Sequence, residues 1–234
     1  MRISTVVHAP CVLALALLLM QPAPASSASS SVQALESAMS ENGLRKVSVK
    51  GVDLAYAKPG ATLASYKRIK IDPVEVAFHK SWDPTRTGSN LKVSATERDK
   101  ILNGMAKLVE EEFARELEAE SGYAVTEESG DDVLRVKINI VNLYVSAPDT
   151  GSSTGRSRTY VASAGEMTLY AELFDSKSGE VIARVVDRRE ARSTGRVSLS
   201  GSVYNQGEAR SIAAGWARIL RKALDNAHGI SAKG

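Results

Sequence analysis

Residues 166–192 read EMTLYAELFDSKSGEVIARVVDRREAR, and this stretch decides the fold. Met167, Leu169, Ala171 and Leu173 alternate with more polar residues, the period of a strand that buries one face. Ser176-Lys177-Ser178-Gly179 is turn chemistry, after which the chain returns through a second strand-like run beginning near Val181. The two runs predict an antiparallel hairpin, so the domain is built on a sheet with one covered face.

Upstream, VLRVKINIVNLYVS (133–146) is a longer strand. Leu134, Val136, Ile138 and Ile140 share one face, then the apolar phase passes to Val141, Leu143 and Val145. Because side chains alternate across a strand, such a switch predicts a bulge or bend near Ile140–Asn142. YKRIKIDPVEVAF (66–78) flips phase in the same way at Pro73, which cannot donate to a ladder. YAVTEES (123–129) is a short strand, whereas HKSWDPTRTGSN (79–90) and GRVSLSGSVYNQG (195–207) read as loops.

Two segments carry the helical period. Ser94-Ala95-Thr96-Glu97 is a capping box, in which the hydroxyl and the carboxylate satisfy each other's orphan amides. It opens a helix with Ile101, Met105, Leu108, Val109 and Leu117 on one stripe, Leu102 and Phe113 flanking, and Gly122 as the stop. A second helix opens at an Asn205/Glu208 cap pair and ends at Gly229. Ile212, Ala213, Trp216, Ile219, Leu220, Ala223 and Leu224 form its stripe. The order β-α-β-β-β-β-α predicts an α+β, two-layer domain over residues 53–230. Its sheet is mainly antiparallel, with one parallel or offset pairing allowed by the first strand–helix–strand unit, and both amphipathic helices lie on one face.

The N-terminal residues set the compartment. Arg2 precedes an apolar run from Val12 to Met20, followed by Pro22, Pro24 and the triplet Ala23-Pro24-Ala25. This pattern predicts a secretory signal peptide over residues 1–25, with cleavage after Ala25. Residues 26–52, opening on SSASSSVQALESAMS, read as a flexible linker, and residues 231–234 as a tail. The only cysteine, Cys11, precedes the apolar run, so neither a lipidated N-terminus nor any disulfide is expected of the mature chain. Residues 1–25 hold one basic residue, Arg2, and no acid, so removing them lowers the formal charge of +3 by one, to +2. A balance this even predicts no nucleic-acid partner.

Candidate chemistry is sparse. Gly151-Ser152-Ser153-Thr154-Gly155 spells G-x-S-x-G, but a nucleophile elbow needs a helix after the serine, and RTYVASAGEMTL is strand-like. Ser153 is therefore read as a loop residue in the connection between two antiparallel strands. His79 and His228 stand apart from other ligating residues, Asp131-Asp132 sits in a turn, and Glu110-Glu111-Glu112 is assigned to a solvated helix face. No metal and no cofactor is expected. Tyr144, Tyr160, Tyr170, Tyr204 and Trp82 offer an aromatic platform, though aromatics make up 5% of the chain and packing has first claim on them. The most asymmetric charge feature is Arg184, Arg188, Arg189 and Arg192, to which Arg156 and Arg158 add if the loops meet. Guanidinium forks suit phosphate or carboxylate groups of lipid headgroups or envelope glycans, and charge also protects an edge strand from pairing.

Several longer runs resemble a known family. They are Tyr56-Ala57-Lys58-Pro59-Gly60-Ala61, Tyr66-Lys67, Ile71-Asp72-Pro73-Val74-Glu75-Val76, Asn142-Leu143-Tyr144, Ala147-Pro148-Asp149 and SRTYVASAGEMTL…ELFDSKSGEVIARVVDRREAR. Together they resemble the bacterial envelope proteins grouped as domain of unknown function 3313, over most of residues 56–225. The resemblance implies an exported protein, often a lipoprotein in other members, with no assigned activity, catalytic residue or cofactor. This chain departs from those members by lacking a cysteine at the cleavage site.

The sequence thus predicts a non-enzymatic periplasmic protein that binds or assembles with an envelope protein or an anionic envelope component. Peripheral outer-membrane association and homo-oligomerisation are compatible with it. The alternatives are an anion-binding module built on the arginines and, more remotely, a serine hydrolase using Ser153.

Overall fold

The computed structural model describes residues 27–82, 94–145, 160–161, 166–190, 198–199 and 202–230. Residues 1–37 and 38–234 form separate units. The described part of the first is helical and belongs to α1 (Ser27–Ser40). The second unit holds the rest of the fold. In chain order its strands and helices are β1 (Arg45–Val47), β2 (Leu54–Ala57), β3 (Arg68–Ile71), β4 (Glu75–Phe78), α2 (Ala95–Glu118) and β5 (Ala124–Val125). There follow β6 (Val133–Tyr144), β7 (Tyr160–Val161), β8 (Glu166–Asp175), β9 (Val181–Glu190), β10 (Ser198–Leu199) and α3 (Ser202–Ala227).

The sheet runs β1-β2-β9-β8-β6-β3-β5, with β4 also paired to β6 beyond the end of β3. β1/β2, β2/β9, β9/β8 and β8/β6 are antiparallel, whereas β3 and β4 run parallel to β6 and β3 runs parallel to β5. The β8–β9 hairpin is the one expected. Its turn is closed by Asp175, whose Oδ1 accepts from the Lys177 amide at 3.1 Å and the Ser178 amide at 2.7 Å. Gly179 supplies the left-handed residue at φ 73°.

Both phase switches take the form of chain irregularities. Asp72-Pro73-Val74 separates β3 from β4, and the β6/β8 register shifts between Val141 and Tyr144, where Asn142 is left-handed at φ 56°. Asn is among the few residues that tolerate that conformation. Leu134, Val136, Ile138 and Ile140 of β6 and Met167, Leu169, Ala171 and Leu173 of β8 meet Leu108, Val109, Phe113 and Leu117 of α2 and Ala213, Trp216 and Leu224 of α3 in the main core.

The helix ends differ from expectation in detail. The capping box is present: the Glu97 amide donates to Ser94 Oγ at 3.2 Å and the Ser94 amide to Glu97 Oε2 at 2.8 Å. At the other end Glu120, not Gly122, takes the left-handed turn, at φ 50°. Gly122 serves close approach instead, since a Cβ there would lie 2.1 Å from the Leu117 carbonyl oxygen. Arg221 of α3 reaches across to donate to the Glu116 carbonyl at 3.0 Å and to that of Ala119, capping the negative end of α2. α3 begins at Ser202, so Asn205 lies inside it rather than capping it. Its C-terminus is a Schellman arrangement around Gly229 at φ 70°, with the Ile230 amide donating to the Asp225 carbonyl at 2.8 Å.

Other segments differ from the sequence reading. A compact unit spans Ala38–Gly234, and Met39 and Leu44, both in the segment read as linker, are buried. They pack with Tyr56, Leu54, Tyr170, Val181 and Val186 in a second, smaller core on the sheet face turned away from α2 and α3. The expected sheet omitted β1 and β2, and the segment 195–207 read as a loop contains β10, paired with β7. The glutamate triplet is not merely solvated: Glu112 is 1% exposed and held between α2 and α3 by Arg210 at 2.9 Å and by Arg115, while Glu110 accepts from the Val74 amide at 2.8 Å.

Candidate functional site

The candidate site lies between the helix-facing side of β2, β8 and β9 and the underside of α3. The sheet supplies Ala55, Ala57, Leu169, Ala171, Ala183 and Val185. Trp216, Ile219, Leu220 and Ala223 of α3 face them, and Val47, Val49, Val52, Ala61 and Leu63 close one side. Together they bound an apolar cavity of about 200 Å³. It exists because the facing positions are small: where alanine on a strand meets alanine on a helix, no side chain is long enough to fill the gap. Protein interiors seldom leave voids much larger than a water molecule.

Its walls are fixed by a buried polar network. Asp187 is 1% exposed on the helix-facing side of β9, two residues from Val185. Oδ2 accepts the Trp216 indole N–H at 2.7 Å and Arg189 Nε at 2.5 Å, and Oδ1 accepts the Asp53 amide at 3.0 Å. Arg189 also donates to the Gly51 carbonyl, and the Asp53 carboxylate accepts from the Arg188 amide at 2.9 Å. One carboxylate therefore positions α3, β9 and the segment 51–53 relative to one another. Gly51 is left-handed at φ 94°, and its missing Cβ would stand 3.1 Å from Ile219 Cδ1, so this segment lies directly against the helix at the cavity wall.

A polar shelf adjoins the cavity and shares Ala61 and Ile182 with it. Lys58, Thr62, Tyr66, Asp131, Asp175, Lys177 and Glu180 line the shelf. Lys58 pairs with Glu180 and Lys177 with Asp131 at 2.7 Å. The Tyr66 hydroxyl donates to Asp175 Oδ2 at 3.0 Å; burial, with that bond, pushes the phenol up to about 12. The backbone amide of Ser178 holds the Asp175 carboxyl below its ordinary range.

Of the arginines singled out from the sequence, the three among the described residues are divided between the two faces of β9. Arg184 and Arg188 lie on the face turned away from the helices, Arg189 on the opposite one. Arg184 is 7% exposed, bonded to Glu172 at 2.9 Å and to the Ala38 carbonyl and Asn42 Oδ1, each at 2.9 Å. Arg188 bridges Glu166 and Glu190. Each guanidinium thus has a carboxylate of its own, and the first serves to pin residues 38–42 over the second core. Ser153, Arg156, Arg158 and Arg192 lie outside the described residues.

The other candidates resolve into packing. Trp82 stacks on Phe78 with centroids 4.0 Å apart, has Arg98 5.3 Å from its ring centroid, and donates to the Val145 carbonyl at 2.9 Å. His79 accepts from Ser81, and His228 packs against Tyr123. Asp132 pairs with Arg68 at 2.8 Å, which holds its carboxyl below the usual range. Among the described residues no cluster of His, Asp and Glu has the makings of a metal site. No described helix is long and apolar enough to cross a membrane.

Sequence reasoning missed the burial of Asp187 and the cavity. A signal for the first was available: Asp187 shares the helix-facing side of β9 with the partly buried Ala183 and Val185, and a buried acid there requires donors.

Comparison with known proteins gives no match to a curated protein. Among solved structures, the chain is similar to the PelC dodecamer from Paraburkholderia phytofirmans at 14% identity, covering 76% of this chain and 96% of that one, with a TM-score of 0.38. It is also similar to a Xanthomonas campestris protein of the family DUF330, at 14% identity over 72% of this chain and 89% of that one, with a TM-score of 0.40. Likeness at this level bears on neither activity nor partner. The family model described as "Protein of unknown function (DUF3313)" matches residues 36–220, well over half of the chain, and the chain belongs to that family.

Proposed function

We propose that this is a non-enzymatic binding protein of the bacterial envelope that takes hold of its ligand or partner at the cavity beneath α3. The observation that carries the reading is how polar and apolar surface are divided. Arg184, Arg188, Arg189 and Asp187 are spent on one another and on backbone groups, whereas the interior concave surface between β2, β8, β9 and α3 is lined by carbon. A site of that kind supplies desolvation and shape, the attributes of binding, rather than proton transfer or a nucleophile. The signal-like residues 1–25 support the envelope location, as does the sequence resemblance described above.

Genetic placement of a photo-crosslinking benzoylphenylalanine tests it in intact cells. At Val47, 41% exposed on the cavity wall, the reading expects a discrete adduct. At Lys107, exposed on α2, it expects none. Absence of an adduct at Val47, or a substrate turnover lost on a single polar-to-alanine change, overturns it.

A further inference from the structure

We propose that the cavity receives the alkyl chain of an amphiphile, whose uncharged or zwitterionic head rests on the adjoining polar shelf. The inference rests on the binding reading above and gives it a ligand class.

Three observations lead there. The cavity presents methyl and methylene groups from sheet and helix alike, so nothing inside rewards a polar atom. Its volume of about 200 Å³ exceeds the ~150 Å³ of an engineered apolar cavity that stays dry and takes up benzene, so several methylenes fit. The shelf shares Ala61 and Ile182 with it, and beyond those two residues the lining changes from carbon to charged and hydroxyl groups. An apolar slot beside a polar ledge matches a molecule with the same division.

The shelf's charge selects among heads. Its two lysines face three carboxylates, and each lysine is already paired, Lys58 with Glu180 and Lys177 with Asp131. A simple carboxylate head would meet the excess negative charge and would have to break an existing pair. A hydroxyl or a zwitterion need not.

The test uses the full folded unit with ¹³C-labelled methyl groups, titrated with primary alcohols from butanol to decanol. The expected result is shifts at the Ile219 and Leu220 methyls and an affinity that rises about fourfold per added methylene until the cavity is full, which is ~0.8 kcal/mol per CH₂ read as a ratio. Ala223→Leu and Ala183→Ile fill the cavity from opposite walls. Each should weaken octanol binding at least tenfold while keeping the melting temperature at or above that of the parent. Among eight-carbon ligands, octylphosphocholine and monooctanoylglycerol should bind more tightly than octanoate. Shifts without chain-length dependence, or unchanged binding in both filled and folded variants, overturn the hydrocarbon assignment. Tighter binding of octanoate overturns the assignment of the head. If alcohols fail to bind while the Val47 adduct still forms, this inference falls and the binding reading stands. If alcohols bind and the adduct is missing, the binding reading falls.

Discussion

The indole N–H of Trp216 donates to Oδ2 of Asp187 at 2.7 Å, and this bond joins α3 to β9 at the wall of the apolar cavity. The same carboxylate holds Asp53 and Arg189, so a residue with no exposed surface to speak of organises three elements around the candidate site.

Removing it should be expensive. Asp187→Ala leaves the Trp216 and Asp53 donors buried without an acceptor and Arg189 without its anion, a loss of about 3 kcal/mol or a fall of roughly 6–12 °C in melting temperature. Trp216→Phe keeps most of the packing and should cost about half as much. Because the two side chains share one bond, the double variant should be more stable than the sum of the single losses predicts, by about 1 kcal/mol or more. Urea denaturation followed by circular dichroism measures all three.

Arg184 and Arg188 should behave as differently as their surroundings. Arg184→Ala strands Glu172 and releases the carbonyls of Ala38 and Glu41 and the side chain of Asn42. Residues 38–44 should then open readily, seen as tryptic cleavage at Arg45 or Lys46 accelerated by about tenfold or more. Arg188→Ala interrupts exposed pairs and should change stability by no more than ~1 kcal/mol, with cleavage at those sites as in the parent.

Within one helix, neighbouring glutamates should differ several-fold in effect. Glu112→Ala removes the buried acceptor of Arg210 and Arg115 but leaves both arginines largely exposed, and should cost about 2 kcal/mol. Glu111 is exposed, 3.8 Å from Lys107, and Glu111→Ala should stay within about 0.5 kcal/mol. Thermal unfolding of the two variants side by side decides it.

Alkaline unfolding should report two phenols. Burial, with bonds to Asp175 and Asp225 respectively, raises Tyr66 and Tyr123 to about 12. In the unfolded chain tyrosine titrates near ~10, so the folded state binds these protons more tightly. The stability from this source is complete below about pH 10 and is lost as pH rises from there through about 12. Tyrosinate absorbance should show Tyr66 and Tyr123 ionising late, with Tyr170 also delayed by burial, and Tyr66→Phe should remove one late ionisation.

Much of the frame was legible because it depends on local rules. The alternation of Met167 to Leu173, the Asp175–Gly179 turn and the Ser94/Glu97 box each specify their structure within a few residues. The phase changes at Pro73 and near Asn142 told where the ladder breaks, since alternation leaves no other solution. β1 and β2 are three and four residues long, too short for a period to show; β2 exists through pairing with β9, and β1 through pairing with β2. Met39 and Leu44 lie in a Ser- and Glu-rich context, and only the apolar patch around Tyr170 and Val186 explains their burial.

The site was less legible, for a physical reason. Parity alone separates Arg189 from Arg184 and Arg188 on a strand, so the division of the arginines could have been read from the sequence. The cavity could not. It depends on Ala55, Ala171, Ala183 and Ala223 meeting across space from strands and a helix far apart in the chain, and an alanine on a core face ordinarily signals close packing.

The central claim is that this cavity carries a hydrocarbon ligand. Its most direct test is native mass spectrometry of the protein and its Ala223→Leu variant, each purified from the envelope without detergent exchange. The account predicts a bound amphiphile on the parent, released by organic solvent, and its loss from the variant with the fold intact. A parent that carries no such mass, or a variant that carries the same one, would contradict it.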